Sequence, residues 1–304
     1  MKKETKKIVW FSAGSFFAGF AVCAICVVII AYSFSKKQTE NSKEYLTLLQ
    51  SSDSYNNTID KNAPQFIYQS SSDTNLVRVR KHFNLDSVAG NGDEISKIKK
   101  LMYFVHNSIT HDGNNQATGV SRNSIDLFKY VSETGNGINC RMMAIALNEF
   151  YLSMGFYSRF VTCLPQDSTD TDCHVINSVY SKTLNKWIMI DPTFAAYITD
   201  ENENLLSISE VKMRLINDMP LKLNEDANWN HKTKQTADYY LKTYMAKNLY
   251  WLSCITESCF AVEDNSSYRK YVYLCPTGFT GFKHYTNYYI TNNSDYFWQN
   301  PFLY

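Results

Sequence analysis

The chain has 304 residues, a formal net charge of +1 and 15% Phe, Trp and Tyr. That length accommodates one large or two small domains with a real core. The near-balanced charge gives no electrostatic footing for a nucleic-acid partner, and the aromatic content excludes a mostly disordered chain.

In chain order, Lys2, Lys3, Lys6 and Lys7 precede an uncharged run from Ile8 to Ser35. About 20 apolar residues suffice to cross a bilayer, whereas the apolar region of a signal peptide is only about 7 to 15 long. The run is therefore expected to be a single transmembrane helix over 8–35, behind a cytoplasmic tail of 1–7. The lysines before it outnumber Lys36, Lys37 and Lys43 beyond it. The positive-inside bias then leaves the N-terminus in the cytoplasm and the rest of the chain outside. Small residues near Ala31 and Ser33 offer a signal-peptidase site, but the apolar run is longer than such a leader requires. Cys23 and Cys26 read as membrane-buried thiols. Residues 36–63 are dominated by Ser, Asn, Lys and Asp. They read as a flexible stalk, whose coil would reach about 25 to 30 Å.

The informative segment lies within 64–200. After Gly135 and Gly137 comes Cys140, followed by Met143, Ala144, Leu147, Phe150, Tyr151 and Met154 at steps of three and four, with Gly155 as a natural stop. This is the stripe of a helix packed into a core. Cys140 stands at its start, where unpaired N–H groups and the helix dipole lower a thiol from about 8.5 into a range of about 3.5 to 7.5. Downstream, "SRFVTC", "HVINSVY" and "KWIMID" read as consecutive antiparallel strands. A hairpin loop over Ser181 to Leu184 would set Tyr180 opposite Asn185 and His174 opposite Asp191, with Cβ atoms about 4.5 to 5.5 Å apart. Cys140, His174 and Asp191 then form a thiol, a base and a group that orients the base. Each alone has an ordinary structural explanation, as a helix-packed thiol, a strand-end histidine and a turn aspartate. Jointly they favour catalysis.

Cys163, Cys173, Cys254, Cys259 and Cys275 form an odd set for an exported domain. Cys163 and Cys173 flank a polar loop and would be within reach of a disulfide. Cys163, Cys173 and His174 lack a partner pair to complete a four-ligand zinc set, so no metal and no cofactor is expected. Arg159 and Trp187 read as structural, Trp187 packing the hairpin onto the helix, while Arg141 is left unassigned with the cleft rim as one place for it. Beyond residue 200, Ser207 caps a helix in "LLSISEVKMRLIND", a second helix is expected from about Thr236 to Leu252, and the aromatic tail reads as added strands. Residues 201–304 are thus an extension packed on the core.

"GINCRMMAIALNEFYLSMGFYSRFVTC" and "CHVINSVYSKTLNKWIMIDPT", with "SITHDG" and "SRNSIDLFKYVSETGNG" upstream, resemble the transglutaminase-like superfamily over roughly Ile95 to Phe194. The resemblance implies an α+β, papain-like transglutaminase-core fold, in which a helix bearing the cysteine packs on an antiparallel sheet bearing histidine and aspartate. It implies Cys140 as nucleophile, His174 as base and Asp191 as its orienter. The chain departs from the family pattern at Ile176, where an aromatic is common, and in Gly137, displaced to give Gly-Ile-Asn-Cys. Animal-type members use an upstream tryptophan for the oxyanion, and no tryptophan lies between Trp10 and Trp187. The oxyanion donors then fall to the Cys140 backbone N–H and to either Gln116 or Asn139. The expected function is a membrane-anchored, outward-facing cysteine enzyme that acts on amide bonds of a protein, peptide or cell-wall peptide. It would work through a thioester released to water or to an amine. The rival is a catalytically silent surface module for binding or assembly.

Overall fold

The computed structural model describes residues 32–33, 36–52, 55–56, 58, 60–265, 270–281 and 287–302. The transmembrane expectation for 8–35 lies outside them except at Tyr32 and Ser33. Among the described residues no helix is long and apolar enough to cross a membrane. The chain divides into two compact units, Met1–Glu44 and Tyr45–Tyr304, and the fold below belongs to the second. Within the stretch expected as a stalk, residues 36–51 are helical (α1). Leu49 is fully buried, with Tyr45 and Leu46 packed beside it. Their spacing gives α1 one apolar face despite its polar composition.

The second unit is layered. Helices α2 (Thr74–His82), α3 (Leu85–Ala89), α4 (Glu94–Ser108), α5 (Ser124–Thr134) and α6 (Cys140–Ser153) precede the strands of the main sheet. Every residue from Met142 to Ser153 in α6 is buried. A helix buried on all sides belongs in the interior, where its polar Asn148 and Glu149 are met by Ser258 and Ser124. One flank meets Phe83, Phe104 and Phe128, whose rings gather around Phe150, and the other meets Phe160, Val175, Val179, Ile188 and Ile190 of the sheet.

The strands are β1 (Ile67–Tyr68), β2 (Ser158–Leu164), β3 (His174–Ser181), β4 (Lys186–Asp191), β5 (Ala196–Thr199), β6 (Lys222–Leu223), β7 (Asn228–Trp229), β8 (Thr233–Lys234), β9 (Trp251–Ile255), β10 (Glu257–Ser258), β11 (Tyr271–Leu274) and β12 (Tyr288–Thr291). Among the described residues the main sheet runs β12-β11-β9-β2-β3-β4-β5-β6, antiparallel except for the parallel β11–β12 pair. The three strands expected over 158–191 are present and run antiparallel in the expected order. Alternate residues Val161, Cys163, Ile176 and Met189 face the opposite layer, with α7 (Ile208–Ile216) and a π-helical segment, Asp238–Met245. The Ser207 cap of α7 is realised as a capping box with Glu210.

Three further sequence expectations change, and the open question of a Cys163–Cys173 bridge is answered. The β3–β4 hairpin turns through Lys182–Asn185, pairing Tyr180 with Trp187 rather than with Asn185. Asn185 takes the left-handed conformation (φ 51°) there, and Glu94 of α4 grips the turn through Ser181 Oγ and the Lys182 and Thr183 N–H groups. The slip is two residues, which preserves the face each side chain occupies. His174 and Asp191 therefore still meet. The helix expected from Thr236 to Leu252 is a π-helical turn ending near Asn248, because Trp251 and Leu252 are claimed by β9. Trp187 packs against Tyr68, Tyr180 and Arg159 and donates to Gln299 O, so it anchors the C-terminal tail, not α6. Cys163 and Cys173 are free thiols, the first in the core opposite His174 and the second half-buried.

One close approach sets the start of α6. Ile138 N–H donates to Thr110 O at 3.0 Å and Asp112 N–H donates to Ile138 O at 2.9 Å, a parallel bridge centred on His111 and Ile138. A Cβ on Gly137 would lie 2.4 Å from Thr110 O. Only glycine lets the two backbones close here. Gly137→Ala is expected to destabilise the protein by about 1–3 kcal/mol, the usual cost of overpacking, and to disturb the bridge. Urea unfolding with unchanged stability would contradict this.

Candidate active site

Cys140 is the first residue of α6, with Asn139 as its N-cap: Asn139 Oδ1 accepts from Met142 N–H at 3.1 Å. The Cys140 N–H is among those with no intrahelical partner. Burial alone would raise the thiol. A hydrogen bond from His111, the neighbouring His174 imidazole with its charge, and the Val175 N–H outweigh it and bring the thiol down to about 6.

His174 opens β3 and is fully buried. Its Nε2–H donates to Asp191 Oδ2 at 2.7 Å, leaving Nδ1 as the nitrogen available toward Cys140. Phe194 and Tyr244 flank the ring, with centroids at 5.6 and 5.0 Å. Burial would lower this imidazole, but the Asp191 charge and hydrogen bond prevail and lift it to about 10. Asp191 is also fully buried, and burial would raise it. The His174 charge outweighs that, helped by Tyr240 O–H donating to Oδ2 at 2.7 Å and Thr193 N–H donating to Oδ1 at 2.8 Å, so the carboxyl stays below its ordinary range. The thiol is pushed down and the imidazole up, so the pair favours a thiolate beside an imidazolium at neutral pH.

The structure thus brings Cys140, His174 and Asp191 together. Of the two side chains expected to serve the oxyanion, Asn139 has its Oδ1 engaged by the cap and its Nδ2 donating to Gln116 Oε1 at 3.3 Å. Gln116 is exposed, with its backbone carbonyl held by Arg122. Sequence reasoning missed His111, Tyr240 and Tyr244. His111 lay inside "SITHDG", a short polar loop with no local pattern to single it out, and only its bridge to Ile138 in the fold reveals its place. The tyrosines sit in the π-helical turn and had no local signature. Arg159 is structural: it is buried among Phe66, Trp187, Phe297 and Trp298 and donates to Phe297 O at 2.5 Å.

A cavity of about 550 Å³ is lined by Arg141, the residue after Cys140, and by Cys173, the residue before His174, but not by Cys140 or His174 themselves. Trp251, Tyr271 and Tyr273 form its aromatic wall, and Arg141 pairs with Glu263 at 2.5 Å on its rim.

Residues 81–192 match the family model described as the transglutaminase-like superfamily. That segment, which holds Cys140, His174 and Asp191, is similar to a transglutaminase-like core. Comparison with curated proteins returned no match. Among solved structures, a candidate cysteine protease from Cytophaga hutchinsonii aligns at 12% identity over 49% of this chain, with a TM-score of 0.30. The alignment spans 47% of that chain, about half its length. Legionella pneumophila LapG (EGTA-treated) aligns at 15% identity over 58% of this chain and 89% of its own, with a TM-score of 0.30.

The thiolate fraction rises as pH rises through the thiol's pKa. Iodoacetamide should therefore alkylate Cys140 with an inflection near pH 6, while burial holds Cys254 at about 11 and Cys259 and Cys275 at about 12. Mass-spectrometric labelling with a Cys140 inflection at about 8.5, the value of a free thiol, would contradict the ion pair.

Proposed function

We propose that the protein is a cysteine acyl-transferring enzyme that cleaves amide bonds of a protein, peptide or cell-wall peptide through a thioester. The observation that carries this reading is the buried Asp191–His174 hydrogen bond beside a thiol lowered to about 6. Cys140 Sγ attacks the carbonyl carbon, His174 gives its proton to the departing amine, and the thioester passes to water or to an amine. Asp191 keeps the imidazole oriented and stabilises its charge. The cavity between Arg141 and Cys173 is wide enough for a side chain of the acyl donor and has aromatic walls to pack it.

On this reading kcat/KM follows a bell with limbs near pH 6 and pH 10. In a screen of peptide, glutamine-containing and cell-wall peptide substrates, Cys140→Ala should abolish turnover and His174→Ala should nearly do so. Asp191→Asn should retain a residue of activity, reduced by up to about 10⁴-fold. Full activity in Cys140→Ala would end the proposal.

The site is proposed to face outward, anchored by the helix expected over 8–35. The support is the lysine excess before the uncharged run. Protease added to intact cells should digest the chain beyond Lys37 and spare the N-terminal tail. A chain protected until lysis would overturn the orientation.

A further inference from the structure

His111 is a second imidazole beside Cys140, and its surroundings fix which of its nitrogens carries the proton. Trp229 Nε1–H lies 3.0 Å from His111 Nδ1. An indole N–H can only donate. His111 Nδ1 must therefore accept, and a neutral ring then carries its proton on Nε2.

The backbone is held as firmly as the ring. Asn230 Oδ1 accepts from His111 N–H at 2.7 Å while Asn230 Nδ2 donates to His111 O at 2.9 Å. The bridge to Ile138 places His111 alongside the residue two before Cys140. Trp229 and Asn230 belong to the β7–β8 hairpin, which His106 ties to the residue after Asp191: one His106 nitrogen meets Pro192 O and the other Asn228 Oδ1, both at 3.1 Å.

We propose that His111 supplies the second oxyanion donor of this site, its Nε2–H resting on the Cys140 thiolate in the free enzyme and moving to the substrate's carbonyl oxygen in the tetrahedral adduct. This rests on the reading of Cys140 as the nucleophile. In the step, the Cys140 Sγ–carbon bond forms while the carbonyl π pair moves onto oxygen. His111 Nε2–H and the Cys140 N–H stabilise that charge without giving up a proton. Collapse re-forms the carbonyl and expels the leaving group, which takes its proton from His174 when it is an amine. His111 thus fills the role for which the chain offers no upstream tryptophan, and Trp229, from the far side of the sequence, acts through it as a positioning residue. Among the described residues, the other titratable groups that bear on the Cys140 sulfur are His174, Tyr244, Cys173 and Cys163. The hydrogen bond from His111 is itself one of the influences that lower the Cys140 thiol.

Two reactions separate an oxyanion donor from a structural residue. Alkylation by iodoacetamide needs the thiolate but forms no oxyanion, whereas acylation by p-nitrophenyl acetate passes through one and its leaving group needs no proton. In the full-length protein, His111→Phe should raise the alkylation inflection and leave the alkylation plateau at high pH unchanged. It should slow acylation by about 10²–10³-fold, the usual cost of one oxyanion donor. His111→Gln, which keeps an N–H donor, should recover most of the acylation rate, and Trp229→Phe, which frees the tautomer, should fall between the two. Acylation within about twofold of wild type in His111→Phe overturns the proposal. So does a parallel loss of both reactions that His111→Gln does not rescue. If the wild type is alkylated near pH 6 but never acylated, the acyl-transfer reading fails and the oxyanion role with it. An upward-shifted inflection in His111→Phe would then still establish the His111–Cys140 hydrogen bond.

Discussion

The Asp191 carboxylate is the charge on which the candidate site depends. Burying an ion costs several kcal/mol unless its lone pairs are met and a counter-charge is close. Here three donors, from His174, Tyr240 and the Thr193 backbone, converge on the two oxygens. The counter-charge is the His174 imidazolium. An imidazolium so held favours a thiolate beside it, so the protonation of Cys140 is set by a carboxylate on a strand two elements away. A carboxamide at 191 would keep the shape and lose this chain of consequences.

The fold delivers the three groups by separate devices. The Cys140 position follows from the Gly137 close approach and the Asn139 cap, which together start α6 at that residue. His174 and Asp191 are delivered by the period of two in adjacent antiparallel strands, fixed by a hairpin that Glu94 clamps. The residues after 200 then complete the site. Tyr240 and Tyr244 come from a π-helical turn, an element found often at functional positions, and β9 pairs directly with β2 to continue the sheet. The C-terminal third is part of the site's wall as well as part of the sheet.

What could be read in the sequence was what local chemistry encodes. The α6 stripe, the three strands and the Ser207 cap carry periodicity or capping patterns within a dozen residues. The hairpin register was misread by two because Asn185 and Glu94 select the turn, and Glu94 is distant in sequence. The error was harmless only because it was even. His111 escaped notice because a histidine in a short polar loop has no pattern of its own. Its significance comes from Trp229 and Ile138, one 118 positions away. The α1 helix was hidden by composition: its polar residues face outward while Tyr45, Leu46 and Leu49 supply just one apolar edge.

The central claim is that the resting site holds a thiolate and an imidazolium. Nitrogen-15 NMR of histidine-labelled protein at neutral pH reads it directly. The account predicts that His174 carries protons on both ring nitrogens, with the Nε2 proton shifted by a strong hydrogen bond to Asp191. A neutral His174 imidazole beside a protonated Cys140 thiol would contradict it.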